Sequence, residues 1–207
     1  MKTVSLNNMA CEFIDIILPT GGQFIMAMKS YPLEKAFTFI EPGPVLLVTT
    51  YNESRYNIMA ITWHMVLDFT PKIAVATGPW NYSFNALLKN RECVLAVPTI
   101  ELAEKTVHIG DCSGKTIDKF QQFGLTALPA EKIKAPLIGE CLACIECKVT
   151  DYLESQNFFV LQGINAWYDE EHKEIRKFHA NGDGTFVTDG PTLDLRNLME
   201  DKLPAGV

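Results

Sequence analysis

Asn57, Met59, Ala60, Thr62 and Trp63 fall within one short segment, NIMAITW. An amide, a hydroxyl, a thioether and an indole so close together can hydrogen-bond the polar edge of a flat heteroaromatic ring and cover its apolar face. Further on, PKIAVATGP (71–79) runs into NYSFNALLKN (81–90). Asn81 and Ser83 there open an expected helix, and unpaired N–H groups at a helix start suit a phosphate. A ring such as isoalloxazine with a phosphorylated tail fits both halves of the pattern. Each residue also has an ordinary role. Asn57 can cap a turn after Ser54-Arg55, and Met59 and Trp63 can be core.

Cys141, Cys144 and Cys147 (CLACIEC) have the C-x-x-C-x-x-C spacing of an iron–sulfur ligand run. The fourth cysteine with its proline is missing, and the surrounding residues pattern as a strand. On a strand, positions three apart face opposite ways. Only Cys141 and Cys147 would then share a face, about 20 Å apart. Buried free thiols are the expectation, with no metal. The four histidines are dispersed, and no Ser-His-Asp or Cys-His order stands out.

The elements that must position these residues read mainly as strands. Residues 44–51 (PVLLVTTY), 57–67 (NIMAITWHMVL), 72–77 (KIAVAT) and 93–97 (CVLAV) are short apolar or β-branched runs between Pro/Gly turn signals. Segments 140–153 and 157–168 form a hairpin through Glu154-Ser155-Gln156. Helices are expected at 83–89, with Ser83 as cap, at 99–107 and at 193–199. A turn capped by Ser113 or Thr116 leads to Phe120-Gln121-Gln122-Phe123 and stops at Gly124. This is the pattern of a β-barrel with a few short helices, not of βαβ units. No G-x-G-x-x-G follows a strand, so no Rossmann unit is expected.

The chain has 207 residues, 47% hydrophobic and 21% charged, which suffices for a sizeable core. No linker or composition shift divides it. A single domain over 1–207 is expected, with its core at about 40–170. A net charge of −7 argues against a non-specific nucleic-acid binder, which needs a basic face. Glu12 and Asp15 interrupt the N-terminal apolar residues, and no apolar run approaches a membrane span. A cytoplasmic location is the expectation, and free thiols for the six cysteines follow from it.

PVLLVTT, N-x-M-x-x-T-W at 57–63, PKIAVATGP, YSFNALLKN, ECVLAVP and SGKTIDKF at 113–120 occur in this order along the chain. In that order the sequence resembles the flavin reductase-like FMN-binding split barrels, and among them the flavoredoxins. The likeness covers roughly residues 44–168. It implies a six-stranded antiparallel Greek-key barrel and a homodimer with FMN near the subunit interface. It implies that Asn57, Met59, Ala60, Thr62 and Trp63 line the ring and ribityl side, and that Thr77, Asn81 and Ser83 lie toward the ribityl-phosphate. Ser113 and Lys119 would close the phosphate end, although Lys119 also reads as a solvated helix lysine. The implied activity is electron transfer between NAD(P)H, a transient visitor, flavin and an acceptor. An FMN-bearing electron carrier reduced by a protein partner, and a non-catalytic small-ligand barrel, remain as alternatives.

Overall fold

The computed structural model describes residues 43–52, 55–68 and 70–198. They belong to a compact unit bounded at Leu33–Val207. The N-terminal stretch with Cys11, Glu12 and Asp15, the residues Pro42 and Ser54, and Met199 lie outside the described residues.

The strands are β1 (Leu46–Asn52), β2 (Arg55–Ile61), β3 (His64–Asp68), β4 (Lys72–Ala76), β5 (Glu92–Val97), the two-residue pair β6 (Ala127–Leu128) and β7 (Leu137–Ile138), the long β8 (Ala143–Leu153) and β9 (Phe158–Tyr168), and the short β10 (Phe178–Ala180) and β11 (Phe186–Thr188). The helices are α1 (Phe84–Asn90), α2 (Ala103–Asp111) and α3 (Lys119–Phe123). The fold class is as expected, a mainly β protein with few helices.

The principal sheet runs β2-β1-β5-β8-β9-β4-β3, and every pairing in it is antiparallel. The chain passes from β4 to β5 across the β8–β9 hairpin, so the order is not sequential. Strands β2 and β3 occupy opposite edges, yet only Thr62 and Trp63 separate them. Such a link spans at most about 11 Å. The sheet must therefore curl until its edges approach, which makes a split barrel. Seven strands stand where six were expected, because the single strand read over 57–67 breaks at Thr62-Trp63 and its halves pair at different edges.

Two apolar layers follow from strand alternation. Val48, Met59, Leu95, Cys147 and Phe159 belong to one core. Leu47, Ile58, Val94, Ala96 and Cys144 turn the other way and pack with Ile109 of α2 and Phe120 of α3. Both faces of β1, β2 and β5 are thus covered; α2 and α3 press on one side of β2, while Phe84 and Leu87 of α1 pack into the opposite core.

Local chemistry corrects three further expectations. Asp118, not Ser113 or Thr116, caps α3, accepting from the Gln121 N–H at 3.1 Å. Gly124 ends that helix at φ 57°, a conformation that costs glycine nothing. The helix expected at 99–107 opens as a 3₁₀ turn (Ile100–Leu102) and runs on to Asp111. Cys141 precedes β8, so strand alternation does not govern it; it packs in the same cluster as Cys144, while Cys147 faces the other core. Burial pushes the Cys144 thiol up to about 11 and Cys141 upward as well, which disfavours the thiolate a metal needs. No helix among the described residues is long and apolar enough to cross a membrane.

Candidate functional site

The barrel wall and the helical layer enclose a cavity of about 250 Å³. Strand β2 supplies Asn57, Met59 and Ala60. The turn before α1 supplies Trp80, Asn81, Tyr82 and Ser83. The end of α2 and the loop after it supply Gly110, Asp111, Cys112, Ser113 and Gly114, and α3 adds Lys119. Seven of the ten residues expected at a ligand site are therefore in one place.

Asn57 is the most constrained of them. It is 3% exposed, and its Nδ2 donates to Ser83 Oγ at 2.7 Å. Its Oδ1 is buried without a partner. An unpaired buried amide end costs about 1–3 kcal/mol, so it wants a ligand. Ser83 does not cap α1 as expected. Its oxygen instead accepts from Asn57 and from Thr50 Oγ1 at 3.3 Å, which leaves its own proton free to donate.

Lys119 is not solvated. It is 4% exposed, and its ammonium donates to the Ile109 carbonyl at 2.7 Å. That carbonyl lies in the last turn of α2, where intrahelical donors have run out. The Cys112 thiol shares the same acceptor at 3.6 Å. Desolvation lowers the Lys119 pKa, and the neighbouring Cys112 raises it by less. Two of its three N–H donors remain for a ligand.

The other three expected residues sit apart. Thr77 is buried behind the wall, where its Oγ1 accepts from Asn81 Nδ2 at 2.9 Å and so fixes Asn81. Thr62 lines an adjoining apolar cavity of about 220 Å³, which shares Ala60 and Gly110 with the first and includes Val45, Ala180 and Phe186. Trp63 is 58% exposed at the bend between β2 and β3. Sequence reading missed Trp80, Tyr82, Gly110, Asp111, Cys112 and Gly114. Of these, Tyr82 and Gly114 carried a signal, as members of the YSFNALLKN and SGKTIDKF segments.

These features define a barrel with a polar pocket beside an apolar slot. A family model for the flavin reductase like domain matches residues 40–183, and the chain belongs to that family. It is 27% identical over 176 residues to the Escherichia coli (strain K12) protein YddH, covering 76% of this chain and 93% of that one. Among solved structures, the flavoredoxin from Methanosarcina acetivorans superposes with a TM-score of 0.70 at 24% identity, over 81% of this chain and 95% of that one. The flavoredoxin of Desulfovibrio vulgaris (Miyazaki F) gives 0.68 at 23%, over 84% and 96%.

Proposed function

We propose that the two adjoining cavities hold FMN and that the protein is a flavin reductase: NAD(P)H delivers hydride to the flavin, and an acceptor takes the electrons on. The single observation that carries this reading is the buried, unpartnered Asn57 Oδ1 in the same wall as the buried Lys119 ammonium. One suits the neutral polar groups of a ribityl chain or ring edge, and the other suits a phosphate. Ser83, Ser113 and Asn81 add short polar groups around the tail. Ala60 and Thr62 line the apolar slot, which suits the ring, and Met59 lines the polar cavity beside it. When bound, the flavin supplies the hydride acceptor, so no protein acid or base is required of the site. The chain's own residues bind, orient and exclude water. We take the family's homodimer as the working assembly and the cytoplasm as the working location.

Titration with FMN and riboflavin, followed by steady-state NADH and NADPH oxidation with added FMN, tests the reading. FMN bound more tightly than riboflavin, with flavin-dependent oxidation, supports it. FMN binding without nicotinamide oxidation makes the protein an electron carrier reduced by a partner. No flavin binding and no flavin spectrum leave a small-ligand barrel.

A further inference from the structure

We infer that Cys141 and Cys144 form a thiol–disulfide site, which a low-molecular-weight disulfide oxidises to an intramolecular Cys141–Cys144 linkage. The site is independent of the flavin reading and shares no lining residue with the two cavities proposed for FMN.

A C-x-x-C spacing on a strand would turn the two sulfurs to opposite faces. The chain avoids this by bending at Cys141 and Leu142, so that β8 begins only at Ala143. An extended run would also hold the two Cα atoms about 10 Å apart, beyond what a disulfide spans, and the bend removes that obstacle. The Ile138 carbonyl gathers both residues. It accepts the Cys141 N–H at 3.2 Å and the Cys144 thiol at 3.7 Å. Leu142 between them is pinned on both sides, donating to the Val97 carbonyl and accepting from the Asp169 N–H, each at 3.0 Å. Both cysteines belong to one apolar cluster.

The pair also has an approach. Both residues line a cavity of about 160 Å³ whose rim carries the exposed Leu128, Trp167 and Tyr168. Cys93 and Cys147, which face each other across β5 and β8, are instead fully buried in the opposite core. In the reaction one protein thiolate attacks a sulfur of the small disulfide and expels a thiolate, which takes up a proton. The second protein thiolate attacks the mixed disulfide and expels the other half. Two protein thiols are oxidised, one small disulfide is reduced to two thiols, and the protons lost and gained balance. Burial holds both thiols protonated, and for Cys141 the neighbouring Cys144 and Glu140 add to this. Formation is therefore slow at neutral pH, and the linkage, whose leaving thiols are poor, is slow to reopen. Such a site records an oxidising exposure and does not cycle with each turnover.

The test treats the full-length protein with oxidised glutathione at mildly alkaline pH. Mass spectrometry with peptide fragmentation, which resolves Cys147 from the other two, then maps the cysteines. The wild type should show a Cys141–Cys144 linkage, seen as the loss of two hydrogens with no glutathione retained at either position, and dithiothreitol should reverse it. Indole emission should fall as the linkage forms, because Cys144 stands directly opposite Trp167 in the β8–β9 ladder, and should recover on reduction. Cys144→Ala should hold one glutathione at Cys141 and lose the reversible fall in emission. Mapping of the wild type decides the matter even if that variant does not fold. Free thiols at both positions under conditions that oxidise the denatured chain, a Cys93–Cys147 linkage in their place, or glutathione retained at Cys141 or Cys144 in the wild type would overturn the inference.

Discussion

The Lys119 ammonium lies 2.7 Å from the Ile109 carbonyl, so the cation that faces the polar cavity is also the group that closes the end of α2. A cation satisfying a last-turn carbonyl is itself a stabilising arrangement. Lys119→Met tests the two roles separately. It should weaken FMN about ten- to a hundredfold, the value of one charge-assisted contact, and leave riboflavin nearly unchanged. Lys115→Ala is the control, since that side chain is exposed and outside the cavity wall. Equal loss for both flavins would make Lys119 a helix-closing residue only.

The same ammonium sets a pH dependence. Desolvation holds its pKa below the ordinary lysine value, with the Cys112 interaction opposing. A bound phosphate dianion restores the charged form, so binding takes up a proton once the pH exceeds the free-site value. FMN affinity should therefore fall as pH rises through that lowered pKa. It should also fall below about pH 6, where the phosphate becomes a monoanion. Affinity measured across pH should lose its alkaline limb in Lys119→Met and keep its acidic one.

Gly114 and Asn57 are coupled by space. An ideal Cβ on residue 114 would stand 1.9 Å from Asn57 Oδ1. Gly114→Ala must displace the amide or the loop. Overpacking of this kind costs about 1–3 kcal/mol. FMN affinity should fall by roughly tenfold as Asn57 loses its aim. Calorimetry and titration on one variant check both values, and unchanged affinity would remove Asn57 from the site.

The barrel was legible because its strands are short, apolar and punctuated by Pro and Gly, and because local pairing such as β8–β9 needs only a tight turn. Asn57, Asn81 and Ser83 were legible for a similar reason, being polar residues placed where apolar ones continue the pattern. The break at Thr62-Trp63 was not, because β-branched and aromatic residues run through it unchanged and only pairing to opposite edges separates β2 from β3. Thr77 was expected toward the ribityl-phosphate and stands outside the cavity lining instead. It holds Asn81 from behind, a contact no spacing encodes. Trp80 carried no pattern at all, since exposure depends on what Gly78 leaves open.

Glu146 shows how the loop after β6 is held. It is fully buried, and its carboxylate accepts from the Glu131 and Lys132 N–H groups at 3.1 and 2.7 Å, from Asn165 Nδ2 at 3.1 Å and from Trp167 Nε1 at 2.8 Å. Burial raises its pKa, but these donors together lower it more. A folded-state pKa below the unfolded one contributes stability above about pH 4.5 that is lost as pH falls through the folded value. Glu146→Gln turns an acceptor end into a donor facing donors. It should cost about 3 kcal/mol, or roughly 6–12 °C in Tm, and flatten the acid limb of stability. A Tm within 2 °C of wild type, on the order of less than 1 kcal/mol, would contradict this.

The last prediction concerns assembly. Strand β3 lies at a sheet edge and exposes Met65 (58%), Val66 (69%) and Leu67 (39%), with Trp63 (58%) just before it. Both faces of a short strand are thus apolar and open, the condition that natural edge strands avoid unless another surface covers them. A second copy of the chain meets this need with one self-complementary patch. A stable dimer of this kind buries about 800 Å² per partner, and charge at its centre is poorly tolerated. Light scattering should give a dimer at micromolar concentration. Val66→Glu should shift it toward monomer without lowering the Tm of the isolated fold by more than about 2 °C, since Val66 touches little within its own subunit. Because the adjoining Thr62 faces the apolar slot, the monomer should also bind flavin more weakly. A wild-type monomer, or a Val66→Glu dimer of unchanged mass, would place the interface elsewhere.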